Sequence, residues 1–303
     1  MSSVTRLAGR VLPEAGADLL ARAQRAGGQA LRTRVAGANA RQAAERIWAR
    51  PGPRRFAEDD PIWRVHADAA MFPGGLAALL LQSLHPQAMA GVAGHSGYRG
   101  DPWGRLQRTS HFIAVTTYGT TDDADAAIDR VRGIHRRVRG RDDRGTPYRA
   151  DDPNLLRWVH VAEASCFLGA HQRFGVRPLT PAEADAYVAQ SAVIAARLGA
   201  TGLPQTVAEL AAALVAFRPA LRSTPAARDT ARFLLLNPPV PLPARPGYGA
   251  VAAGAFAILP GWARRELRLP APRVLDPLHR ALGIGATRTI RWAMAGLENR
   301  PAS

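Results

Sequence analysis

The sequence predicts an all-α protein, a single multi-helix globular domain. Three observations carry that prediction: apolar residues recur at helical spacing, cap-then-proline pairs punctuate the chain at helix-length intervals, and no sustained run of strand length alternates apolar with polar. Ala15 to Trp48 is Ala- and Arg-rich and helix-permissive, and it ends in the breaker-rich Pro51-Gly52-Pro53-Arg54-Arg55. Residues 1–58 therefore form an expected N-terminal helical extension, with 59–300 as the main domain. Ile62 to Met71 begins a new segment, punctuated by Phe72-Pro73-Gly74-Gly75. Leu76 to Val92 predicts one mainly apolar helix buried on most sides, and Gly94 to Gly100 a turn. Asp101-Pro102 supplies an N-cap followed by proline at the first helical position, opening a helix from Trp103 to Tyr118. Thr121-Asp122 caps another helix to Arg139, and Asp142 to Tyr148 is a polar turn region. Asp152-Pro153 opens a helix from Asn154 to Phe174. Thr180-Pro181-Ala182-Glu183 adds a capping-box glutamate and opens a helix to Leu198. Thr206 starts one to Phe217, and Thr224-Pro225 starts one to Leu236. The proline-rich Asn237 to Pro243 breaks the chain before helices over Tyr248–Leu259, Gly261–Leu267 and Val274–Ala295.

Composition removes several function classes. The 303 residues are 47% hydrophobic, ample for a core, and carry a formal charge of +16. All 40 basic residues are arginine, the bias a GC-rich codon pool writes. The total charge is discounted accordingly as a nucleic-acid signal, and no helix-turn-helix or aromatic stacking motif accompanies it. No nucleic-acid partner is expected. Without lysine there is no phosphate-binding Walker loop, Schiff base or kinase pair. Cys166 is the one cysteine, which excludes an intrachain disulfide, a multi-Cys zinc site and an iron–sulfur cluster. Gly94-His95-Ser96-Gly97 misses a nucleophile elbow by one position. Gly247-Tyr248-Gly249 lacks the strand of a dinucleotide fold. Asp276-Pro277-Leu278-His279 is a single approximation to the paired Glu-x-x-His of di-iron bundles. The first residues lack a secretory signal, and no run approaches the roughly 18 apolar residues of a membrane span. A soluble, cytoplasmic protein without a transmembrane segment is expected.

What remains is histidine with arginine on helices. Arg105 and Thr109 are four apart on one helix face, continued inward by Phe112 and Thr116. A buried arginine needs an anion, either a haem propionate or an Asp or Glu from another helix. His135 falls beside the apolar stripe of Ile128, Val131, Ile134 and Val138, away from Arg136, Arg137 and Arg139. A neutral imidazole there is either a hydrogen-bonded core residue or an axial iron ligand. His160 and His171 share a face with Phe167, lining a cavity or simply packing. Cys166 is a thiolate ligand or a small core residue.

In combination these residues form a recognisable series. Leu80-Leu81-Gln82, His85-Pro86, Gly91-Val92, His95-Ser96, Asp101-Pro102, Gly104-Arg105-Leu106 and Arg108-Thr109 open it. Val131 to His135, Val138-Arg139-Gly140, Tyr148, Ala150, Asp152-Pro153 and Trp158-Val159-His160 continue it. The series resembles the MpaB-type oxygenase family, which includes the rubber oxygenase called latex clearing protein, over about residues 60 to 295. The resemblance implies an all-helical fold around one b-type haem. His135 would be the proximal iron ligand, Arg105 and Thr109 the marked pair at the haem, and His160 a further cofactor contact. It also implies an oxygenase that uses dioxygen and an electron donor on an apolar small molecule such as an isoprenoid, polyketide or lipid-like compound. His85 would be the distal catalytic donor, with Arg105 and Thr109 assisting. A haem-binding or sensor protein without turnover is the alternative. Rubber-cleaving members carry an acidic residue upstream of the Arg–Thr pair, whereas Met71 to Gly100 contains none. A deprotonation step in that place would use His85, His95 or neither.

Overall fold

A computed structural model describes residues 14–95, 100–269 and 272–298. Among these residues the expected class holds: fourteen α-helices and one two-stranded hairpin, with the helices packed about a shared apolar core. The helices are α1 (Glu14–Ala36), α2 (Ala40–Ala49), α3 (Pro61–Ala67), α4 (Met71–Gln82), α5 (Pro86–His95), α6 (Pro102–Tyr118) and α7 (Thr121–His135). After the hairpin β1 (Arg139–Arg141) and β2 (Pro147–Arg149) come α8 (Pro153–Phe174), α9 (Pro181–Leu198), α10 (Val207–Phe217), α11 (Pro225–Leu236), α12 (Arg245–Ile258), α13 (Gly261–Glu266) and α14 (Asp276–Glu298). No helix of the described residues is long and apolar enough to cross a membrane.

The caps explain where the helices start. Asp101 accepts from the Gly104 N–H at 2.8 Å, and Asp152 accepts from Asn154 and Leu155 at 2.9 and 3.0 Å. Thr180 and Glu183 close the expected capping box. At α7 the cap is Thr120, one residue before the expected Thr121.

Three expectations need correction. The helix expected over Leu76 to Val92 is two, separated at Ser83–His85. Pro86 cannot donate and biases His85 away from helical backbone, so the His85 carbonyl caps α5 by accepting from Met89 at 2.9 Å. Pro73, Gly74 and Gly75 do not precede a helix but lie within α4. Pro73 is tolerated in a first turn, where no N–H partner is needed. The helix expected to reach Arg139 ends at His135, and Arg139↔Arg149 and Arg141↔Pro147 pair in the hairpin. Three-residue strands are too short to display alternation. Of the turn expected over Gly94 to Gly100, residues 96–99 lie outside the described residues.

At the centre lies α8, with Trp158, Val161, Ala162 and Ala170 fully enclosed. It runs antiparallel to α4. A Cβ on Gly74 would stand 3.0 Å from the Ala170 Cβ, so glycine lets the two backbones approach closely. Farther along, the Trp158 indole N–H donates to the Gln82 carbonyl at 3.2 Å, which also accepts from the His85 N–H at 3.1 Å, and so ties α8 to the end of α4. A similar glycine crossing joins α12 and α14, where a Cβ on Gly283 would meet the Gly254 Cα at 2.8 Å.

Candidate functional site

Two polar groups hang on α8. The first gathers at its N-terminal end. His85, buried between α4 and α5, lies with its ring 6.2 Å from the Trp158 ring, and its Nδ1 is buried without a hydrogen-bond partner. Burial lowers its pKa to about 4, against smaller opposing effects from the Asp152 and Asp142 carboxylates. His135 is the last residue of α7, half-buried, with Nδ1 likewise enclosed and unpartnered. Burial lowers its pKa too, partly opposed by the Asp151 carboxylate. Both imidazoles therefore stay neutral near pH 7 and sit beside the junction of β2 with α8.

The second group lies two turns farther along α8. His160 is buried, its Nε2 has no partner, and burial lowers its pKa to about 4. Three residues on, and so on nearly the same face, is Glu163, which sequence reading did not single out. Its carboxylate accepts from the Gln82 Nε2 at 2.9 Å. Burial raises its pKa, while the Gln82 hydrogen bond and then the Arg105 charge lower it. A glutamate from another helix thus lies within reach of the Arg105 charge, one of the two kinds of partner its position requires. Arg105 itself is half-buried on α6, and Thr109, one turn on, is exposed. Phe112 is half-buried and Thr116 buried, so the face does turn inward towards its C-terminal end.

The other histidines are placed differently, although His171 and His279 also have an enclosed Nδ1 without a hydrogen-bond partner. His171 is buried, and its Nε2 meets the Arg177 carbonyl at 3.1 Å. His95 is exposed. His66, not singled out from sequence, joins three helices: its Nδ1 meets the Thr117 hydroxyl at 2.9 Å and its Nε2 the Tyr187 hydroxyl at 3.5 Å. Burial, with the Glu163 charge, pushes the Cys166 thiol pKa well up, so it stays protonated as a small core residue.

Two open clefts lie elsewhere. One of about 280 Å³ is lined by Asp125, Ile128, Arg132 and Arg197. The other, of about 680 Å³, lies between α1 and α6 and is lined by Arg34, Trp103 and Gln107. Trp103 and Gln107 flank Arg105 at two residues on either side, which puts that cleft on the opposite face of α6. Neither cleft is lined by His85, His135 or His160.

Among the described residues no group of three or more His, Cys, Asp or Glu is placed to hold a metal ion. The donor set is instead one of separate neutral imidazoles, each with an enclosed, unpartnered ring nitrogen. That is the type of donor that could hold a haem iron.

The family of the ER-bound oxygenase mpaB/B′ and rubber oxygenase catalytic domain matches residues 63–294, and the chain belongs to it. It is thereby placed in the class of oxygenase catalytic domains. The chain is also 35% identical over 100 residues to an uncharacterised protein, Mb2261, of Mycobacterium bovis, and equally to Rv2237 of Mycobacterium tuberculosis. Those matches cover 33% of this chain and 37% of each relative, so the chain spans little more than a third of the curated relatives it matches. No solved structure matches it.

Proposed function

We propose that this protein is a haem b-dependent oxygenase that uses dioxygen and an external electron donor on an apolar small molecule, isoprenoid, polyketide or lipid-like, oxygenating or cleaving a C=C bond. The observation that carries the reading is one enclosed, unpartnered ring nitrogen on each of the neutral imidazoles at positions 85, 135 and 160, within a chain of an oxygenase family. A haem held there supplies the redox and dioxygen chemistry that amino-acid side chains lack.

His135 is the residue proposed to hold the haem iron. Its place at the C-terminus of α7, beside the Asp151 carboxylate, favours electron density on the ring, as a carboxylate near a ligating histidine does. His160 is the proposed second imidazole at the cofactor. Arg105 and Thr109 are proposed to meet the propionate edge: the guanidinium has five donors, enough to serve Glu163 and a second anion together. His85 would donate or hold a proton on the substrate side at a ring nitrogen, with Leu80, Leu84 and Met89 keeping water out. We also propose that 59–300 is the catalytic unit and that α1 and α2 are an extension to it.

The test is haem loading of the wild-type protein and of two single variants. His135→Ala should lose haem, while His85→Ala should keep it and lose dioxygen uptake with apolar alkenes and a reductant. Full haem occupancy in His135→Ala would move the ligand to His160 or His85. Bound haem with no uptake above autoxidation on any alkene would favour the non-catalytic haem-binding alternative.

A further inference from the structure

The hairpin between α7 and α8 carries its charge on one face. In its register Arg139 stands opposite Arg149, Gly140 opposite Tyr148 and Arg141 opposite Pro147. Successive side chains of a strand point to opposite faces, so Arg139, Arg141 and Arg149 share one face and Tyr148 takes the other. Tyr148 is buried, and a Cβ on Gly140 or a Cβ on Gly91 would stand 2.7 or 3.5 Å from its side chain, so that side packs on α5. The three arginines are exposed on the outer side. Arg139 and Arg149 are like charges directly across a strand pair, an arrangement that by itself costs stability.

The cluster is denser than the composition of the chain explains. Eight of the twenty residues from Arg130 to Arg149 are arginine, against 40 of 303 in the whole chain, so an evenly spread codon bias does not produce it. The acids nearby are already taken. Asp142 and Asp143 face Arg222, the second at 2.8 Å, and Asp151 accepts from the Arg149 Nε and Nη2 at 3.0 and 3.1 Å. Arg136, Arg137 and Arg141 are exposed and pair with no carboxylate among the described residues. The face also adjoins His135. The His135 carbonyl accepts from the Val138 N–H at 3.1 Å, the Val138 carbonyl accepts from Ala150 at 3.0 Å, and the Asp151 carboxylate that holds Arg149 also acts on the His135 ring.

We propose that this outer face docks an acidic one-electron carrier protein, an iron–sulfur or flavin protein whose carboxylates meet Arg139 and Arg141. The inference rests on the haem reading, since His135 is the residue proposed to hold the iron and the electron is handed over beside it. Each encounter oxidises the carrier by one electron, which the iron takes up. Complementary potentials steer such encounters and fix their orientation. Other occupants fit less well. A bilayer finds only Pro147 beside the three arginines on this face, and a single-stranded nucleic acid finds no aromatic ring to stack on, because Tyr148 faces inward. A second copy of the chain would set arginine against arginine.

The experiment is calorimetric titration of the haem-loaded full-length protein with two acidic carriers, a plant-type ferredoxin and a flavodoxin, at low and high salt. The expected result is binding of at least one carrier that weakens as salt rises. Arg139→Glu with Arg141→Glu should weaken it about tenfold or more while leaving the Soret band and the circular dichroism spectrum unchanged. In stopped flow the same pair should slow haem reduction by the carrier but not by dithionite. No binding of either carrier to haem-loaded protein, binding indifferent to salt, or binding unchanged in the arginine pair would overturn the proposal. So would a short DNA duplex that binds more tightly than either carrier and is lost in the same pair. A Soret band missing before any carrier is added would sink the haem reading, and this proposal with it.

Discussion

Two long helices of this protein place their side chains in opposite senses. On α8 the interior receives His160 and Glu163 alongside Trp158 and Val161, so polar groups are buried. On α14 the exterior receives Leu278, Leu282 and Trp292, while glycine and alanine take the inner side. Neither arrangement is what burial of apolar area alone would select. The difference teaches where to look for function: a buried polar group costs stability unless partnered, and an exposed apolar stripe forgoes stability that burial would supply. The fold retains both.

The comparison breaks most severely at the root of α8. Trp158→Ala removes a fully enclosed indole and the donor to the Gln82 carbonyl, and should destabilise the protein by about 3–5 kcal/mol in urea unfolding. A denaturation midpoint close to wild type would show that α8 is not the spine of the fold.

Acid should act through buried imidazoles on the same interior. Burial lowers the His66 pKa from 6.5 to about 4, so the native state excludes a proton that the unfolded chain accepts. The stabilising contribution is therefore complete above pH 6.5 and is lost as pH falls towards 4, by at most about 3 kcal/mol. His66→Asn should flatten the stability–pH curve in that window. An unchanged slope would remove His66 as its source.

A smaller effect is expected at the carboxylate. Glu163→Leu leaves the Gln82 amide without its acceptor and removes a negative charge that the Arg105 guanidinium feels, for a loss of about 1–3 kcal/mol. Glu163→Gln, which keeps an acceptor for Gln82, should lose less. Equal losses in the two variants would place the effect in packing rather than in the polar contacts. On the outer helix, by contrast, Leu278→Glu should change stability by no more than about 0.5 kcal/mol, because the residue is 53% exposed. A larger loss would mean that the face is covered.

How much of this was legible in the sequence follows the range of the interactions. Helix starts were readable at Asp101, Asp152, Thr180, Thr206 and Thr224, because a cap and its N–H partner lie within three residues. The break after Gln82 had a local sign in His85-Pro86, but the apolar run on both sides masked it. The hairpin left none, since each strand is three residues long. For the site, sequence supplied the imidazoles and the marked arginine, and the order of motifs supplied the family. The Arg105–Glu163 relation was not readable. Its members are 58 residues apart, and only the antiparallel packing of α4 on α8 brings Gln82 to Glu163 beside α6. The exposure of Thr109 is tertiary for the same reason.

The central claim, an oxygenase domain that holds haem through His135, is tested most directly by one absorption spectrum of the purified full-length protein supplied with haem, recorded oxidised and then reduced. An intense Soret band that shifts on reduction and is lost in the His135→Ala variant is the predicted result. A wild-type protein with no Soret band beyond that of free haem would contradict it.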